Sequence, residues 1–276
     1  MSSAVPNITL NDGRTIPQLG FGVFQVPPAE TQAAVETAID IGYRHIDTAQ
    51  MYGNEEGVGQ ALAESGLSRD EVFITTKLNN DGHSYDAALR KLDESLKLLG
   101  TDHVDLYLIH WPRPQEDRYV ETWKAFEKIA SDGKARSIGV SNFTIANLER
   151  LAQETDTVPA VNQIELHPRL VQRELRNYHV EHGIATEAWS PIAQGGDLLT
   201  DGILKELAEK YGKTPAQVVL RWHVQLGNIV FPKSMKPERM RENIDVFDFD
   251  LSNDDMDAVS ALDRHERTGP DPDKFG

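Results

Sequence analysis

The strongest constraint on this chain is an alternation that occurs eight times. A short run rich in β-branched or aromatic residues is followed by a longer stretch with apolar positions at helical spacing. The short runs are Gly20–Phe24, His45–Thr48, Phe73–Lys77, Val104–His110, Arg136–Val140, Ala160–Glu165, Ala185–Trp189 and Ile229–Lys233. Helices are predicted after them over Ala29–Ile41, Glu55–Glu64, Asp86–Leu99, Val120–Ser131, Ile145–Gln153 and Arg173–Glu181. A pair, Ile203–Tyr211 and Pro215–Gln225, follows the seventh run, and Pro237–Val246 follows the eighth. A last helix is predicted over Asn253–Asp263.

Strands separated by helical crossovers pair in parallel. Eight such units close a barrel, and about 250 residues is the usual size of one. The expected fold is therefore α/β, a (β/α)8 barrel of the TIM type. A β-hairpin over Asn7–Leu19, turning at Asn11-Asp-Gly13, is expected to precede it. No linker, repeat or low-complexity tract divides the chain, so residues 1–276 are expected to form one domain. The rival is a doubly wound open sheet, which usually carries a G-x-G-x-x-G turn after its first strand. Gly20-Phe-Gly22 lacks the third glycine, and Gly57-Val-Gly59 falls inside a helical pattern.

Composition removes several classes of function. There is no cysteine, which excludes disulfides, thiolate metal ligation and cysteine nucleophiles; no metal site is expected. The net charge of −16 disfavours nucleic acid and anionic membranes as partners. No stretch approaches the ~20 apolar residues of a membrane helix. The Met1–Pro6 segment lacks the basic and apolar regions of a secretory signal, so a cytoplasmic location is expected. Against the acidic background stands Lys233-Ser-Met-Lys-Pro-Glu-Arg-Met-Arg241, with four bases and one acid. Such a cluster suggests a specific anion site, although a solvated helix face has the same appearance.

Barrel enzymes keep their active sites at the C-terminal ends of the strands. Seven consecutive predicted strands place a polar or aromatic group there. They give Asp47 with Tyr52 in the following loop, then Lys77, His110, Ser141-Asn142, Asn162-Gln163, Trp189 and Lys233. Taken singly, each has an ordinary reading as a cap, a packing residue or a solvated charge. Their convergence on one rim is what singles them out.

Together they suit reduction of a carbonyl, which needs a proton on oxygen as well as hydride on carbon. A phenol, with a pKa near ~10, holds its proton at neutral pH and gives it up reluctantly. An ammonium ~4 Å away attracts the phenolate by roughly 4 kcal/mol at an effective dielectric of about 20, enough to lower the pKa by at most about three. Lys77 is thus expected to lower the pKa of Tyr52, while Asp47 keeps Lys77 charged. A neutral His110 can donate a hydrogen bond to the substrate oxygen; a cation there would be repelled by Lys77.

These residues resemble the aldo-keto reductase family, and within it the bacterial 2,5-diketo-D-gluconic acid reductases. The matching segments are Gly42–Ala49 with Tyr52–Glu56, Ile74–Lys77, Asp105–Trp111, Ile138–Asn142, Val161–Gln163 and Pro232–Ser234, in family order from Leu19 to Phe249. The resemblance implies a short C-terminal tail and a catalytic tetrad of Asp47, Tyr52, Lys77 and His110. It implies NADPH/NADP+ as cofactor, with Ser141, Asn142 and Gln163 at the nicotinamide carboxamide and Trp189 stacked on the ring. Ser190, Pro191, Ile192 and Gln194 would line the pyrophosphate. Lys233, Ser234 and Arg239 would take the 2′-phosphate, and Asn243 would lie near the adenine. A small carbonyl compound is the expected partner, held by Phe24, Asn79, His110 and Trp111; monomer is the default state. Many relatives carry tryptophan where this chain has Asn79, which implies a more open pocket for small polar carbonyls. Two other readings are weighed beside this one: a cofactor-holding sensor, as in potassium-channel β subunits, and a Schiff-base lyase using Lys77. The intact tetrad disfavours the first, and a charged Lys77 the second.

Overall fold

In the computed structural model, which describes residues 5–275, strands β1 (Asn7–Thr9) and β2 (Thr15–Pro17) form an antiparallel hairpin with Ile8 opposite Ile16. Met1–Ala4, which hold most of the segment read for a secretory signal, and the last tail residue, Gly276, lie outside the described residues. Leu10 and Ile16 of the hairpin pack with Leu106, Leu108, Val161 and Ile229, closing one end of the barrel with apolar side chains.

The repeating units follow: β3 (Phe21–Gly22), α1 (Pro28–Ile41), β4 (His45–Asp47), α2 (Glu55–Glu64), β5 (Phe73–Leu78), α3 (Tyr85–Leu99), β6 (Val104–Ile109) and α4 (Tyr119–Ser131). Then come β7 (Ala135–Ser141), α5 (Ile145–Glu154), β8 (Val161–Glu165), α6 (Arg173–Glu181), β9 (Ala185–Trp189), α7 (Gly202–Tyr211), α8 (Pro215–Gln225), β10 (Ile229–Val230), α9 (Pro237–Ile244) and α10 (Asn253–Ser260). The eight strands β3 to β10 pair in sequence order, every pair parallel. A parallel bridge between Leu19 and Val230 joins the two edges, with Gly20 N donating to Val230 O at 2.9 Å and Val230 N to Gln18 O at 3.0 Å. The sheet is therefore a closed (β/α)8 barrel. A doubly wound sheet would show a reversal of strand order, and none is present among the described residues.

The two glycines of Gly57-Val-Gly59 serve helix packing. A side chain at Gly59 would stand 2.5 Å from Leu98 O, and one at Gly57 2.8 Å from Thr31 Cβ, so α2 lies directly on α1 and on the end of α3. Helix starts follow local chemistry. Ser84 accepts from Ala87 N before α3, and Thr144 and Thr214 form capping boxes before α5 and α8. The eighth strand is shorter than predicted: it ends at Val230, because Pro232 has no N–H for a ladder. Lys233 consequently stands in the loop beyond the strand.

Candidate active site

Strand parity builds the site. Residues two apart share a face of a strand, so His45 and Asp47, Thr75 and Lys77, Gln163 and Glu165, and Glu187 and Trp189 form like-facing pairs on four strands. Lys77 is fully enclosed, and its ammonium donates to Asp47 Oδ1 at 2.7 Å, Thr48 O at 2.9 Å and Tyr52 Oη at 3.3 Å. All three of its N–H groups are thereby spent. Tyr52 ends the 3₁₀ turn Gln50–Tyr52, with its ring 5.7 Å from that of His110 and 5.1 Å from that of Phe24. His110 follows β6, buried, and its Nδ1 has no hydrogen-bond partner among the described residues. The four residues expected as a tetrad are thus brought together.

Burial alone would drive Lys77 toward its neutral form. The Asp47 carboxylate, the Tyr52 oxygen and the hydrogen bonds to both outweigh it, and the pKa of Lys77 ends above its ordinary value. Burial, reinforced by the Lys77 charge, holds His110 well below the ordinary imidazole value, so its ring is neutral at neutral pH. Tyr52 corrects an expectation. Its pKa lies above that of a free phenol, because burial raises it and Asp47 adds to the rise, together exceeding the downward pull of Lys77. The pairwise attraction considered from sequence left out this desolvation.

Deeper in the barrel mouth, Ser141 Oγ donates to Gln163 O at 2.8 Å. Asn142 Nδ2 donates to His110 O at 3.0 Å, and Asn142 Oδ1 accepts from Trp189 Nε1 at 2.8 Å. Asn142 adopts φ 63°, a left-handed conformation that asparagine tolerates better than most residues. Gln163 Nε2 donates to Asp47 Oδ2 and to Glu187 Oε2, both at 2.9 Å. Trp189 is half-buried, leaving part of its ring open. Ser190, at φ 49°, and Gln194, at φ 58°, bracket a tight loop in which Pro191 is buried and Ile192 half-buried. Ser234 is buried in the loop after β10, while Lys233 there and Arg239 on α9 are exposed. Asn243 is buried on the same helix. None of Lys233, Lys236, Arg239 and Arg241 is ion-paired among the described residues, unlike nearby Lys213 and Arg221.

The outer wall combines expected and missed residues. Phe24 is 53% exposed beside Tyr52, and Trp111 is buried, 6.5 Å from Trp189. Asn79 is half-buried; its Oδ1 accepts from Asn80 N at 2.8 Å, closing its own turn. The tail was legible only as short. It crosses this rim: Phe275 lies 4.4 Å from Trp111, and Gly269 sits so close to Trp189 that any Cβ would overlap the indole. Glu165 Oε1 anchors it, accepting from Thr268 N at 2.5 Å and Thr268 Oγ1 at 2.6 Å. Glu187 was also missed, although it shares strand parity with Trp189 and so had to face inward.

A separate concavity of about 740 Å³ lies at the opposite end of the barrel, lined by Arg14, Arg44, Asp70, Glu71, Asp105 and Arg136. Arg136 is paired with both Asp70 and Asp105 there, and none of the strand-end groups reaches it.

Comparison with known proteins accords with this geometry. Residues 18–264 match the model of the Aldo/keto reductase family. An aldo-keto reductase of Mycolicibacterium smegmatis is 55% identical, and methylglyoxal reductase DkgA of Escherichia coli K12 is 50% identical, each over 98% of both chains. A crystal structure of a Gox0644 variant in complex with NADPH superposes with a TM-score of 0.95 at 49% identity, covering 99% of this chain and 100% of that one.

Proposed function

Because the chain belongs to the aldo/keto reductase family, an NADP-dependent group of carbonyl oxidoreductases, we propose that it reduces small polar carbonyl compounds and that Tyr52 supplies the proton. The substrate class inferred is small dicarbonyls, such as methylglyoxal, and keto sugar acids, such as 2,5-diketo-D-gluconate. The relatives named as methylglyoxal reductases and the half-buried Asn79 support it. NADPH, when bound, supplies hydride from its nicotinamide ring.

The residues fit that cofactor by their chemistry. Gln163, Ser141 and Asn142 form an amide- and hydroxyl-lined shelf for a carboxamide, and the half-open indole of Trp189 offers a face for the ring. Lys233 and Arg239, free of carboxylate partners among the described residues, suit a phosphate near the start of α9, with Ser234 beside them. Ser190 to Gln194 would run along the pyrophosphate, and Asn243 would meet the adenine. The whole chain is read as one domain built around this site.

The observation that carries the proton assignment is the Lys77 hydrogen bond to Tyr52. An ammonium can only donate, so the Tyr52 oxygen accepts from it and the phenolic hydrogen points elsewhere, toward the open rim. The neutral His110 orients the carbonyl oxygen without adding a charge beside Lys77. The raised pKa of Tyr52 guarantees that its proton is present at neutral pH. As the substrate oxygen becomes an alkoxide it is a stronger base than the phenolate, so transfer runs from Tyr52 to substrate, and Lys77 stabilises the phenolate left behind. Tyr52→Phe removes the proton and keeps the ring. It should lose at least about 100-fold in kcat, the lower range for general acid catalysis, while NADPH affinity stays within twofold. Wild-type turnover of methylglyoxal by that variant, followed as NADPH oxidation, would refute the assignment.

A further inference from the structure

One ionisable group in the barrel has no part in this chemistry. Glu187 is fully buried, faces Gln163 in the β8–β9 register, and its Oε1 has no hydrogen-bond partner among the described residues. Its Oε2 accepts from the same Gln163 nitrogen that donates to Asp47 Oδ2. An amide nitrogen carries two hydrogens, so both are spent on carboxyl oxygens. The reverse orientation would set the amide oxygen against the Asp47 carboxylate, so the orientation is fixed. Gln163 Oε1 is the edge left for an outside donor.

We propose that Glu187 is a positioning residue: with Asp47 it locks the Gln163 amide so that its oxygen faces the N–H of a primary carboxamide, the group at the nicotinamide end of the dinucleotide. This rests on the dinucleotide reading above. The groups facing Glu187 are Asp47 on β4, Lys77 on β5 and Gln163 on β8. Its neighbour on β10 is apolar Ile229, and His45 lies one layer deeper against Thr75 and Pro17. Burial, and then Asp47, push its carboxyl up to about 8, against the pull of Gln163 and Lys77. At neutral pH it is therefore an uncharged acceptor and adds no second anion to the site.

The test measures NADP+ and 2′-phospho-ADP-ribose, which lacks the carboxamide, binding to the full chain by calorimetry. Glu187→Met keeps the volume and gives up the acceptor; Glu187→Gln keeps an acceptor oxygen. One well-placed hydrogen bond corresponds to about five- to tenfold in an equilibrium constant. Glu187→Met should weaken NADP+ by that factor and leave 2′-phospho-ADP-ribose within twofold, and Glu187→Gln should restore NADP+. Thermal midpoints confirm that both variants fold. If Glu187→Met leaves NADP+ unchanged, or weakens both ligands equally, the positioning role is refuted. A wild-type chain that binds neither ligand would overturn the dinucleotide reading, and the role of Glu187 with it.

Discussion

Replacing Glu187 by glutamine should change how stability depends on pH, and the size of the effect can be worked out. In the unfolded chain this carboxyl titrates at its ordinary 4.5; in the fold it holds its proton to about 8. Between those values the folded state binds a proton that the unfolded state has lost. Stability therefore falls as pH rises, by ~1.4 kcal/mol per pH unit. The buried histidines act with the opposite sign. His45, His179 and His223 are lowered to about 3, and His83 to about 4, so they add stability as pH rises toward the ordinary imidazole value of 6.5. At pH 6.5 each is still half protonated in the unfolded chain, so their contribution goes on rising and levels off only about one pH unit higher. From pH 6.5 to 8 the Glu187 carboxyl therefore lowers wild-type stability by about 2 kcal/mol relative to a chain that lacks it, the histidine contribution being common to both. That corresponds to a fall of roughly 4–8 °C in thermal midpoint. Glu187→Gln has nothing to titrate at this position and should gain about that much on the wild type over the same interval. Urea unfolding and calorimetric melting of both proteins at matched ionic strength would read the difference. Parallel pH profiles for the two would refute a raised Glu187.

Asn79→Trp should shift preference toward aromatic aldehydes and away from hydroxylated ones by about tenfold in relative kcat/KM, the order expected for a change in apolar pocket contacts. An unchanged ranking across a mixed substrate panel would refute the open-pocket reading. Gly269→Ala should force the tail from Trp189, since the added carbon overlaps the indole. Its tryptophan emission should shift to the red and its C-terminus should be cut faster by carboxypeptidase; wild-type emission and cleavage would refute the contact.

The barrel was legible because its strands and helices differ in period, and that difference survives without tertiary information. The rim residues were legible because a parallel barrel sends every strand's C-terminal end to one side. Strand β10 was misjudged at its end, because the apolar character of Phe231 continues the pattern while Pro232 stops the ladder. The direction of the Tyr52 pKa was beyond reach, because desolvation depends on what packs around the ring and not on any spacing. The tail contacts of Gly269 and Phe275 join residues about eighty and 164 positions apart in the chain, with no periodicity to reveal them. Glu187 was different. Its parity with Trp189 was readable, and it was passed over because an acid in a strand pattern is normally assigned to solvent.

The charge state of the whole layer follows from its single cation. Of the acids that feel the Lys77 charge, Asp47, Glu187 and Tyr52 line the mouth, while Glu55 on α2, itself pushed up by burial, accepts a hydrogen bond from Thr76 instead. A buried charge is tolerated when paired, and one ammonium compensates one anion. Asp47 makes the direct contact and takes that place; Glu187 and Tyr52 keep their protons, as the upward direction of both indicates. Removing Asp47 should then hand the charge to the next acid. In Asp47→Asn, Glu187 is freed from its anionic neighbour but not from Lys77, and it should ionise at lower pH. The loss of stability should consequently fall below the ~3–5 kcal/mol expected for a buried ammonium left alone. Asp47→Asn combined with Glu187→Gln removes both counterions and should cost more than the sum of the singles, by about 1–3 kcal/mol, a coupling typical of groups in one network. Additivity in a double-mutant cycle measured at pH 7 would mean that Asp47 and Glu187 do not compete for Lys77.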